Sequence, residues 1–142
     1  MMKALSMEVS RAILDTRASA SQLSHNEARE LFDRLEAKFT SGHSRWPLWE
    51  HFRFPARRQD PSGWRQIGSY VADSPCLLFF NPDDAKEVFR FASGADLALT
   101  LGGTFGFEFY VTDESISYCV CFNHHDMLLG FGAAETWVKS LR

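Results

Sequence analysis

The sequence predicts an α+β fold with N-terminal helices, a mostly antiparallel sheet of about five to six strands and a C-terminal helix. Three observations point there. Residues 105–131, FGFEFYVTDESISYCVCFNHHDMLLGF, hold three apolar runs separated by two short polar turns. Phe105, Phe107, Phe109 and Val111 alternate with Gly106, Glu108, Tyr110 and Thr112, and Ile116, Tyr118, Val120 and Phe122 alternate with Ser117, Cys119, Cys121 and Asn123; this is the period of strands with one buried face. Stretches near both chain ends instead space their apolar residues by three and four, as amphipathic helices do. Finally, strands that follow one another through hairpin-length turns pair antiparallel, which argues against a doubly wound parallel sheet.

From Ser6, the spacing of Val9, Ala12 and Ile13 predicts a short helix, interrupted at Ser19-Ala20-Ser21. In the second helix Ser24 and Glu27 match a capping box, in which each side chain satisfies a backbone donor of the first turn, and Leu23 precedes them as a staple. Ala28, Leu31, Phe32, Leu35 and Phe39 form its apolar stripe, and Gly42 is its expected stop. Residues 43–64, HSRWPLWEHFRFPARRQDPSGW, carry three of the chain's four tryptophans. Pro47 and Pro55 bracket LWEHFRF, which reads as an edge strand because proline is tolerated where no ladder donor is needed. Arg57-Arg58 is a small basic patch, and Asp60-Pro61-Ser62-Gly63 a turn with proline at its second position. The whole segment reads as a loop that wraps the sheet and is pinned by Trp46, Trp49 and Trp64.

Trp64, Ile67 and Val71 have helical spacing, and Pro75 follows as a stop. Cys76 to Phe80, CLLFF, is a strand covered on both faces. Asn81 to Asp84 is a turn, after which Glu87, Phe89 and Phe91 alternate in a returning strand. Ser93 and Asp96 open a short helix with Leu97, Ala98 and Leu101 inward, ended by Gly102-Gly103. The hairpin turning at Asp113-Glu114-Ser115 is expected at the sheet centre. A second turn, Asn123 to Asp126, leads to the strand Met127–Phe131, which Gly132 breaks. Ala134, Trp137, Val138 and Leu141 supply the stripe of the closing helix, with Lys139 and Arg142 at its negative end.

With 142 residues, no internal repeat and no linker, the chain reads as one domain, 1–142, with enough interior to fold without a disulfide. The formal charge of −3, from 18 acidic against 15 basic residues, argues against strong sequence-independent nucleic-acid binding. No apolar run approaches the roughly 20 residues of a membrane helix. Three cysteines, an odd number, two of them in one strand, and the lack of a signal-peptide pattern point to a reducing cytoplasm.

The one polar cluster to which an enzymatic or metal-binding reading attaches is His124-His125-Asp126, since imidazole and carboxylate bind zinc or move protons. Adjacent residues of an extended chain point to opposite sides, however, so if the strand continued at most His124 with Asp126, or His125 with Cys121 or Cys119, would converge. There is no HExxH and no paired CxxC, and the glycine-rich 102–106 follows a helix and precedes a strand, the reverse of a phosphate loop. No catalytic residue, metal ligand set or cofactor is therefore assigned, and Cys119 and Cys121 read as small buried apolar groups.

VFRFASGADL, then FEFYVTD, SYCVCFNHHDML and the closing AAETWVKSL, resemble the later part of small bacterial SUKH-type immunity proteins. The likeness covers residues 76–141. It implies an α+β fold in which a strongly apolar strand turns into another strand and a final helix, and a role in blocking a cognate protein toxin by binding it. On that reading the chain is non-enzymatic. Glu108, Asp113 and Glu114 are exposed acids that meet a basic toxin, and Trp49 and Trp64 are apolar anchors. The other classes are a small enzyme or metal-binding protein using the His124–Asp126 turn, and a stand-alone adaptor domain.

Overall fold

The computed structural model describes residues 3–40, 46–51, 55–104 and 106–141. Helix α1 (Ala4–Thr16) is followed by strand β1 (Ala20–Gln22) and helix α2 (His25–Phe39). A short 3-10 helix, Leu48–His51, leads to β2 (Ala56–Gln59), and a second, Gly63–Gln66, runs into α3 (Ile67–Val71). Then come β3 (Cys76–Phe79), β4 (Phe89–Phe91), α4 (Gly94–Gly102), β5 (Phe109–Thr112), β6 (Tyr118–Phe122), β7 (Met127–Gly132) and α5 (Ala134–Ser140). Among the described residues the strands form one seven-stranded sheet in the order β1-β4-β3-β5-β6-β7-β2, every neighbouring pair antiparallel. The architecture is α+β, and the β5–β6 hairpin lies at the middle of the sheet.

The α2 start follows its local code. Glu27 N–H donates to Ser24 Oγ at 3.1 Å and Ser24 N–H to Glu27 Oε1 at 3.0 Å. Those bonds hold the Glu27 carboxyl below its ordinary pKa. Ala28, Leu31, Leu35 and Phe39 are buried while Phe32 is half-buried. The C-cap is Thr40, whose N–H donates to the Glu36 carbonyl; the predicted stop at Gly42 lies outside the described residues.

The sheet count exceeds the expected five to six because both edges are short polar strands. Ser19 to Ser21, read as an interruption, opens β1, and Ala20 pairs with Phe91. Arg57-Arg58, read as a loop patch, belongs to β2, opposite Leu129 and Leu128. Neither strand carries an apolar alternation, because an edge needs only one pairing partner and that partner is distant in sequence. The predicted edge strand over LWEHFRF is corrected: Leu48–His51 is a 3-10 turn, and residues 52–54 lie outside the described residues.

The central strands are buried on both faces, not one. Every position of β3, β5 and β6 is buried. On one face Phe109, Val111, Tyr118, Val120 and Phe122 pack with Val9 of α1, Ile67 and Val71 of α3, Leu97 and Leu101 of α4 and Val138 of α5. On the other, Tyr110, Cys119 and Cys121 pack with the α2 stripe and Leu48. Helices on both sides put Tyr110 and Thr112 into the interior and bury Cys119 and Cys121, as expected of small apolar groups. The tryptophans divide in the same way: Trp46 and Trp49 lie against the α2 side and Trp64 against the other.

One close approach fixes α3 against α4. A Cβ on Gly94 of α4 would stand 1.9 Å from the Gly68 carbonyl oxygen of α3, so the backbones touch there. In α4 Thr100 takes the buried place expected for Ala98, which is exposed. β5 begins at Phe109 instead of Phe105; Phe107 is half-buried against the core, and Phe105 lies outside the described residues. β6 begins at Tyr118 instead of Ile116, because the turn from Asp113 holds Ile116 at φ 53° and buries its side chain. Arg142, expected at the α5 terminus, also lies outside the described residues. Among those described, no helix is long and apolar enough to cross a membrane.

Candidate functional site

β5 and β6 are in register from Phe109 opposite Phe122 to Thr112 opposite Cys119. Glu108, just before β5, and the Asn123–Asp126 turn, just after β6, therefore leave the sheet side by side. β3 runs antiparallel to β5 with Phe79 opposite Tyr110, which delivers Asn81 to the same end. The 3-10 helix adds Trp49, whose backbone N–H lies 3.4 Å from the Tyr110 hydroxyl.

At the centre is the Glu108 carboxylate, its side chain only 10% exposed. Its Oε1 accepts from the His124 backbone N–H at 3.1 Å and stands 2.8 Å from His124 Nδ1. Asn81 Nδ2 donates to Oε2 at 2.5 Å, and the Tyr110 hydroxyl donates to Asn81 Oδ1 at 2.8 Å, fixing the amide so that its NH2 faces the carboxylate. Trp49 Nε1 is buried and lies near the same carboxylate without closing a hydrogen bond of normal geometry. Burial acts to raise the Glu108 pKa, but the hydrogen bonds from His124 and Asn81, with the nearby Trp49 N–H, outweigh it and hold the carboxyl below its ordinary value. A carboxylate only accepts, so His124 Nδ1 carries the hydrogen and Nε2 is left facing outward.

The turn itself is built by Asn123. Its Oδ1 accepts from the N–H groups of His125 and Met127 at 2.9 and 3.1 Å, and Asp126 takes the left-handed conformation at φ 57°. The expected turn is present, and within it the two imidazoles do not diverge as they would on extended chain: the ring centroids of His124 and His125 are 3.9 Å apart. Both rings lie 6.1 Å from the Trp49 ring. His124 is 62% exposed on its side chain, and His125 and Asp126 are exposed too. Glu50, next to Trp49 in the chain, and Asp84, whose carboxylate lies 3.5 Å from the Asn81 amide, are also exposed. A groove of about 660 Å³ runs beside this end of the sheet between α2 and the β3–β4 connection, lined by Phe32, Trp46, Pro82, Asp83 and Lys86 among others.

The structure thus brings together Trp49, Glu108, His124, His125 and Asp126. Trp64 is half-buried on the opposite face of the sheet. Asp113 and Glu114 occupy the turn at the other end of β5, about 17 Å from Glu108 at the rise of an extended strand. There the Asp113 carboxylate accepts from the Ser117 N–H at 2.8 Å and Glu114 pairs with Arg90. The expected exposure of Glu108 is corrected: its oxygens are committed to internal donors, because the loop carrying Asn81 and the hairpin turn close over it. Asn81 and Tyr110 went unread as site residues, since their bonds to each other and to Glu108 join positions 27 to 29 apart in sequence.

Burial pushes the Cys76 thiol up to about 12 and the Cys119 and Cys121 thiols well above their ordinary value, so none is a ready nucleophile. Among the described residues no three His, Cys, Asp or Glu side chains gather as a full metal ligand set. No family model matches the chain, and neither a curated protein nor a solved structure matches it.

Proposed function

We propose that this chain is a non-enzymatic binding protein of the immunity type, which neutralises a cognate protein toxin by direct contact. The observation that carries the reading is the group at one end of the sheet made of the exposed His124 and His125 imidazoles and the half-buried Trp49 beneath them. Binding energy in protein interfaces concentrates on a few pre-organised aromatic anchors. Here the His124 ring is positioned by a chain of hydrogen bonds from Tyr110 through Asn81 and Glu108. The exposed carboxylates Glu50, Asp84 and Asp126 beside this group favour a partner with a basic surface. The likeness of residues 76–141 to SUKH-type proteins agrees with this role.

The test is co-expression with the product of the adjacent gene. A toxic neighbour whose growth defect is relieved, and which elutes with this chain in a stoichiometric complex, is the expected result. Trp49→Ala and Asp126→Asn should each weaken that complex at least about tenfold, or 1.4 kcal/mol. A neighbour that is harmless and forms no complex overturns the proposal. A complex insensitive to both substitutions moves the contact to another surface.

A further inference from the structure

We propose that His124 and His125 form a two-histidine binding point for a borderline divalent transition-metal ion, copper(II) or zinc, with Glu108 as the residue that positions His124. The inference starts from the turn, which sets two adjacent exposed imidazoles with centroids 3.9 Å apart and planes tilted by 45°. Two metal–nitrogen bonds of about 2.0–2.1 Å at a tetrahedral angle require ring nitrogens about 3.4 Å and ring centroids about 5 Å apart, so on binding the exposed His125 ring turns outward while His124 stays on Glu108.

The second observation is independent of the pair. His124 Nδ1 is committed to a carboxylate that is 90% withdrawn from solvent, at 2.8 Å, so its Nε2 lone pair faces outward. A histidine that ligates a metal characteristically gives its other N–H to a carboxylate, which fixes the tautomer and makes the free nitrogen more basic. Beneath Glu108 the arrangement continues through Asn81 to the Tyr110 hydroxyl. That is more orientation than a solvent-facing histidine needs to end a hairpin. Two imidazole ligands suit copper and zinc over calcium or magnesium, which take oxygen ligands, and copper(II) binds the tighter of the two. The remaining positions are open to water or to a side chain of a bound partner.

Trp49, 6.1 Å from both rings, is a built-in reporter. Protein purified without a histidine tag and stripped with chelator is titrated with CuCl2 and ZnCl2 by calorimetry, and with CuCl2 by tryptophan fluorescence. One ion per chain is expected, with saturable quenching by copper. His124→Ala should abolish binding, Glu108→Gln should loosen it 10–100-fold, and Trp49→Phe should keep the stoichiometry while removing most of the quenching. Absence of stoichiometric binding overturns the proposal. So does binding that survives His124→Ala, an unchanged affinity in Glu108→Gln, which would mark an adventitious surface site, or undiminished quenching in Trp49→Phe. The titration uses no partner, so its outcome and that of the toxin test are separable.

Discussion

Glu108 and His124 form a pair of unequal exposure: the carboxylate is 10% exposed and the imidazole 62%, with 2.8 Å between Oε1 and Nδ1. The two should therefore respond oppositely to truncation. Glu108→Ala leaves the part-buried Asn81 amide without its acceptor, and an unsatisfied buried donor costs about 1–3 kcal/mol; the exposed His124 backbone N–H turns to water. His124→Ala removes an exposed ring and should stay within about 0.5 kcal/mol of wild type. Midpoints of urea unfolding measure both. Equal, small effects would mean that the Glu108 network does not hold the sheet end together.

The same carboxylate sets an acid dependence. Its folded pKa lies below the ordinary 4.5, so its contribution to stability is complete above that value and is lost as pH falls through the depressed folded pKa. Glu108→Gln has no such titration. The stability gap between wild type and Glu108→Gln should thus narrow as pH falls below the ordinary carboxyl range. A gap that widens with acid would reverse the sign and contradict the arrangement of donors around the carboxylate.

Gly94 and Gly68 mark the α3–α4 contact. A Cβ at Gly94 would meet the Gly68 carbonyl oxygen at 1.9 Å and the Ala72 nitrogen at 3.0 Å, both backbone atoms that cannot step aside. Gly94→Ala should cost about 3 kcal/mol or more. Gly102→Ala, where nothing lies within 4 Å of the added carbon, should be neutral or slightly stabilising. Thermal unfolding of the two variants compares them directly.

Phe109 is 3% exposed in the middle of the sheet. Phe109→Ala should cost about 3–5 kcal/mol through lost transfer energy and the cavity left behind. A denaturant midpoint close to wild type would contradict the burial of Phe109 between the sheet and its helices.

The three cysteines are all buried and free. Burial disfavours the thiolate, so none should react with a thiol reagent at pH 8 on the time scale in which an exposed thiol does. All three should react once denaturant is added. Early modification of a single cysteine in native protein would contradict its burial.

What the amino-acid order determined by itself is local or periodic. The capping box at Ser24 and Glu27 needs only residues three apart, and both its bonds are present. The alternation through Phe107, Phe109 and Val111 set the face of β5, and the unbroken CLLFF run announced a strand covered on both sides. Tertiary structure decided the rest, for reasons of distance. The edge strands ASQ and ARRQ take their identity from ladders to β4 and β7, and polar residues at an edge carry no period that reveals them. The second helical layer over Tyr110, Cys119 and Cys121 turned alternating strands into buried ones. Glu108 looked like a surface acid until the β3–β4 connection brought Asn81 to it across 27 residues. The convergence of His124 and His125 came from the left-handed Asp126 and the Asn123 side chain, because rings that an extended chain would hold apart share one side when the chain reverses within four residues.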